Sequence, residues 1–154
     1  MRKLLLVMGA ALMLWSCEGP QGPPGPAGQP GDSYQKKIYT CYVNNNNESR
    51  WQRVEDENGL FLFYRSIFEI PAFTKNVFDT GMFMAYVMDG DLQQPLPFEV
   101  YNEYEGVPWQ YQLWCDFVHS SRDNPVGTVA FYYQDSEFND NRPPNMEFRV
   151  VLMW

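Results

Sequence analysis

The sequence predicts an all-β domain over residues 33–154, an antiparallel β-sandwich of Greek-key, immunoglobulin-like or jelly-roll-like form. Three observations lead there. Apolar and polar residues alternate over short runs, the period of a half-buried strand. Clusters of Asn, Asp, Gly and Pro separate the runs. Some eight runs fit into about 120 residues, the spacing typical of a sandwich. A hydrophobic share of 45% and an aromatic share of 17% exclude a wholly disordered chain. The charged share, 19%, is low for a coiled coil.

Residues 1–16 read as a signal peptide. Arg2 and Lys3 make a basic start, and Leu4 to Trp15 follow without a charge. As a helix that stretch reaches only about 18 Å, short of a bilayer core of roughly 30 Å. It ends Leu14-Trp15-Ser16-Cys17, which looks like a bacterial lipobox. In that motif the Cys thiol takes a diacylglyceryl group, the signal is cut, and the new amino group is acylated. Several acyl chains hold far more tightly than one, since each buried methylene contributes about 0.8 kcal/mol. Loss of Arg2 and Lys3 leaves nine basic against nineteen acidic residues, a charge of −10. Such a surface gains nothing from anionic headgroups, so the lipid on Cys17 does the anchoring. The acidic balance also argues against nucleic acid as a partner.

Residues 17–32 hold the lipidated Cys and a collagen-like spacer. Glycine recurs at 19, 22, 25, 28 and 31 with proline between. So few triplets offer little to offset the ordering of three chains. A single polyproline II strut of roughly 40 Å is therefore preferred over a trimer seeded by this segment.

The strands expected in residues 33–154 are Lys37–Val43, Trp51–Val54, Leu60–Ile70, Met82–Met88, Phe98–Tyr104, Trp109–His119, Gly127–Gln134 and Met146–Trp154. Asn44–Asn47, Asn58-Gly59, Asp89-Gly90, Gln94–Pro97, Asp123–Pro125 and Asn139–Pro144 read as turns or loops. Trp109, Tyr111, Leu113, Cys115 and Phe117 share one face; Gln110, Gln112 and Asp116 share the other, interrupted by Trp114. Phe148 and Val150 to Trp154 are apolar on both faces, as in a strand buried on both sides. Thr74 is placed to cap one short helical turn through Phe78. A membrane barrel is the weaker reading, because Lys37, Arg53, Glu99 and Asp116 interrupt the lipid-facing band it needs.

A lipobox running into Glu-Gly-Pro and a short collagen-like stretch is followed by Val77-Phe78-Asp79-Thr80-Gly81. Pro95-Leu96-Pro97-Phe98, Gly127-Thr128-Val129-Ala130-Phe131 and a closing Phe148-Arg149-Val150-Val151-Leu152-Met153-Trp154 come later. Over nearly its whole length the chain resembles collagen-like lipoproteins of Bacteroidales cell envelopes. The resemblance implies an outer-membrane location and a β-rich domain. It carries over no catalytic residues.

The residues themselves offer little catalytic chemistry. His119 is the one histidine, and Cys115 is four residues away. In a strand that is about 13 Å, too far for a nucleophile–base pair. A Gly-x-Ser-x-Gly elbow and a glycine-rich phosphate loop are both missing from the sequence. Asp135, Glu137, Asn139 and Asp140 begin like a calcium loop. The sixth position lacks glycine, and Met146 stands where a bidentate Glu belongs. That loop reads as solvated, and neither metal nor cofactor is expected. Nineteen acids make a carboxylate pair at glycosidase spacing almost inevitable, so such a pair says little. Cys41 and Cys115 could form a disulfide outside the cytoplasm or stay as two buried thiols.

The aromatics exceed what a small core needs. Trp51, Tyr104, Trp109, Trp114 and Tyr132 are the candidates for a ligand-facing surface, where flat rings beside acids and amides suit a glycan or a protein. The functional expectation is a non-enzymatic lipoprotein of the cell outer membrane, its sandwich acting as an interaction module. Two alternatives are a subunit of a surface appendage that uses its C-terminal strand, and a carbohydrate-binding or glycosidase-like surface protein.

Overall fold

In the computed structural model nine strands and one short helix follow one another among the described residues: β1 (Lys36–Val43), β2 (Gln52–Glu55), β3 (Phe61–Glu69), α1 (Lys75–Thr80), β4 (Met82–Asp89), β5 (Leu92–Pro95), β6 (Phe98–Tyr104), β7 (Val107–Val118), β8 (Thr128–Asp135) and β9 (Met146–Met153). The structure describes residues 33–104, 106–136 and 142–154. Cys17, the spacer, and Glu137, Asn139 and Asp140 lie outside the described residues.

The strands form two antiparallel sheets packed as a sandwich. One runs β1-β9-β4-β5, the other β2-β3-β8-β7-β6. Neighbours distant in sequence, β1 with β9 and β3 with β8, tie the ends of the domain together. The inner face of each sheet follows the expected alternation. Phe148, Val150 and Leu152 of β9 and Val129 and Phe131 of β8 are fully buried between the layers. Between the sheets Phe131 and Phe148 stack, and Trp51 stands edge-on to Phe148 at 6.1 Å.

β5 falls partly where a loop was expected. Leu-Gln-Gln-Pro has no alternation of its own; it is a strand because the two-residue turn at Gly90-Asp91 sets Leu92 opposite Asp89. Gly90 takes φ 57°, a conformation that costs glycine little. At α1 the expectation is met. Thr74 Oγ1 accepts from the Val77 amide, and Lys75 pairs with Asp79 one turn on.

β9 departs from the sequence reading. It lies between β1 and β4, and its outward residues Val151 and Met153 stay partly exposed beside Ile38 and Met84. It is thus buried on one face, with both edges hydrogen-bonded inside its own sheet. A strand held on both edges is not free for donation while the domain is folded.

Of the two readings left open for Cys41 and Cys115, the structure has the free thiols. Cys41 sits beside Phe148 on β9, and Cys115 beside Phe131 on β8. Phe83 of β4 meets Phe117 of β7 at 5.0 Å, so β4 overlies β7. β1 is on the other side of β9 from β4. The two cysteines therefore flank the Phe131–Phe148 stack from opposite sides and on opposite sheets.

Candidate functional site

On β7 the buried Leu113 points inward, so Gln110, Gln112, Trp114 and Asp116 point away from the core. Register sets Tyr132 of β8 opposite Trp114, and Gln134 opposite Gln112. On the other flank Glu99 of β6 stands opposite Gln112, and Tyr101 opposite Gln110. The outer face of the five-stranded sheet thus collects rings, amides and carboxylates.

Three rings form its centre. Trp114 and Tyr132 lie parallel, 5.2 Å apart and within 11°. Phe63 of β3 stands edge-on to both, at 5.8 and 5.3 Å. Such contacts hold the indole in place before any ligand arrives. Burial, and then a hydrogen bond to Asp116, raise the pKa of the Tyr132 phenol.

Two hollows open beside the rings. The first, about 300 Å³, is lined by Pro97, Phe98, Glu99, Gln112, Leu113 and Trp114. β8 and β6 flank β7 on opposite sides, so the indole face not covered by Tyr132 looks toward β6, where this hollow lies. In it Gln112 Nε2 donates to Glu99 Oε1 at 2.9 Å. The second hollow, about 200 Å³, is lined by Gln110, Gln112, Gln134, Asp135 and Ser136. Gln134 is fixed by its bond to the Leu62 carbonyl, 2.9 Å, and Ser136 is tied to the Gln110 backbone. Gln112 borders both hollows. The nearby Glu99 carboxylate raises the Tyr101 pKa, first by charge and then by hydrogen bonding.

The sequence candidates scatter around this face. Trp114 and Tyr132 meet on it. Trp51 is a correction: it is 1% exposed, wedged against Phe148 and Tyr133, with Nε1 donating to the Pro144 carbonyl at 2.9 Å. Trp109 is half-buried on the inner face, the outermost ring of a ladder through Tyr111 to Tyr133. The Tyr104 side chain and Cys17 lie outside what the structure describes. The sequence candidates for this face do not include Phe63, Glu99, Tyr101 or Gln134, and alternation places Gln110 and Gln112 on it without marking them as ligand-facing. The signal was present in the alternation Gln110, Gln112, Trp114, where the tryptophan looked like an interruption and is the centre.

The reactive candidates go elsewhere. Burial raises the thiol pKa of Cys41 to about 12, and burial with Asp116 raises that of Cys115 to about 12. His119 packs its ring on Phe78 at 5.1 Å, with Nδ1 2.8 Å from the Ser120 carbonyl oxygen. Among the described residues, no three acidic, His or Cys side chains cluster to hold a metal.

One more relation orients the face. Gln35 and Trp154 exchange backbone hydrogen bonds at 2.7 and 3.0 Å, so the chain enters the domain where β1 begins and β9 ends. The Phe83–Phe117 contact aligns the start of β4 with the end of β7 at that same end. Gln110 lies seven residues back along β7, about 23 Å toward the opposite end.

The domain is a two-sheet β-sandwich with an aromatic-and-amide outer face. Comparison with family models, curated proteins and solved structures gives no match.

Proposed function

We propose that the protein is a lipid-anchored binding module of the outer membrane. Acyl chains on Cys17 and the proline-glycine spacer tether it, and it binds through the outer face of the five-stranded sheet. The observation that carries this reading is the Trp114–Tyr132–Phe63 cluster flanked by two hollows that present amide and carboxylate groups. Large rings are costly to leave on a solvent-facing sheet unless they meet something. The module works by recognition alone; the free thiols and His119 are spent on packing.

Hydroxyl-radical footprinting tests the binding half. Trp114 and Tyr132 should be oxidised at least threefold less in intact envelopes than in the purified protein. Met84, on the outer face of the other sheet, should be equally oxidised in both. Equal oxidation of Trp114 in the two samples overturns the reading.

A further inference from the structure

We infer that the ligand is a neutral polysaccharide, laid along β7 across the two hollows that share Gln112. The inference rests on the reading of this face as a binding surface and adds the chemical class of what it binds.

A pyranose ring has two aspects: a face of C–H bonds and a rim of hydroxyls that both donate and accept. The first hollow has a counterpart for each. The electron-rich face of the Trp114 indole suits the C–H face. Gln112 and Glu99 are joined at 2.9 Å and Tyr101 also bonds the carboxylate; the Gln112 amide oxygen and the remaining carboxylate lone pairs stay as acceptors for hydroxyls. The second hollow offers amides, a hydroxyl and a carboxylate, and no ring. It suits the hydroxyls of a neighbouring sugar. Gln110 and Trp114 are four residues apart, about 13 Å along the strand, more than one sugar spans. The site therefore takes a chain.

Charge narrows the class. Glu99 and Asp135 line the hollows, and among the described residues neither Lys nor Arg lines them; the cation of this face, Arg65, lies on β3 beside Tyr132. The chain as a whole carries −8. Acidic glycans and phosphates meet like charge here and are disfavoured. A peptide strand would pair with a sheet edge through its backbone, whereas these hollows lie on the face.

The test is native affinity electrophoresis of the detergent-purified full chain, in gels holding soluble glucan, mannan, xylan or galactan, with polygalacturonate as the acidic arm. At least one neutral polysaccharide should retard the protein and polygalacturonate should not. Trp114→Ala and Gln112→Ala should each weaken retardation at least tenfold. Trp114→Phe should weaken it less, and Met84→Ala should leave it within twofold. Near-UV circular dichroism identifies any variant that misfolds. If Trp114→Ala does so, Gln112→Ala and Glu99→Gln decide. Retardation by none of the neutral polysaccharides overturns the inference. So does strongest binding to polygalacturonate, or binding that survives both alanine variants. Protection of Trp114 in envelopes without polysaccharide binding overturns the glycan class alone; absence of both overturns the binding surface as well.

Discussion

Phe131 of β8 and Phe148 of β9 stack ring on ring between the two sheets, centroids 4.0 Å apart and planes within 13°. Both are fully buried, and together they join the middle of one sheet to the middle of the other. Phe148→Ala should cost about 3–5 kcal/mol, through lost burial and the cavity left behind. Phe131→Ala should cost a similar amount. The double variant should lose less than the sum, because the rings share one contact. Urea denaturation curves measure all three.

The thiols give a pH dependence. Cys41 and Cys115 are held near 12 in the folded domain, above the ordinary thiol value. The unfolded chain therefore ionises first. The stabilisation is complete below about pH 8.5 and is lost as pH rises toward 12, at most about 1.4 kcal/mol per thiol per pH unit. Denaturation midpoints should fall across that range, and less steeply in Cys41→Ala. At pH 8 a thiol reagent should label neither cysteine until denaturant is added. Migration in non-reducing gels should match that under reduction.

Gly127 has no room for a side chain. A Cβ there would lie 2.3 Å from the Phe73 carbonyl oxygen and 2.9 Å from the Phe73 Cβ. The Gly127 carbonyl also accepts from the Ile70 amide at 2.6 Å, so the backbone cannot retreat freely. Gly127→Ala should destabilise by about 1–3 kcal/mol, read from the same curves.

β9 is the centre of its sheet, so deletion of Phe148–Trp154 should abolish the cooperative unfolding transition. A truncated chain that still melts cooperatively would revive a donated-strand role.

Cys17→Ala should move the protein from the membrane fraction to the soluble fraction on envelope separation. Undiminished membrane retention would remove the lipid anchor from the account.

Much of this was legible from alternation. Leu113 inward and Gln112 outward follow from a period of two, and that period places the whole β7 face. What alternation could not tell is set by distant parts of the chain. Trp51 sits among polar neighbours and looked exposed. It is buried because the Pro144 carbonyl, 93 residues away, satisfies its indole N–H and Phe148 meets its ring. β5 has no pattern of its own and exists through pairing with β4. Val151 and Met153 looked like core residues; they face solvent because β9 has a second layer on one side only. The meeting of Trp114 with Phe63 needed the β3–β8 register, which no local run contains.

Everything proposed for the outer face depends on Trp114 standing on it. A nuclear Overhauser spectrum of the folded protein decides this. Contacts should run from the Trp114 indole to Tyr132 and Phe63, and from Phe148 to Phe131. Contacts from Trp114 to Phe148 or Val150 would mean that β7 is turned over, with the aromatic face inside the core and the hollows gone.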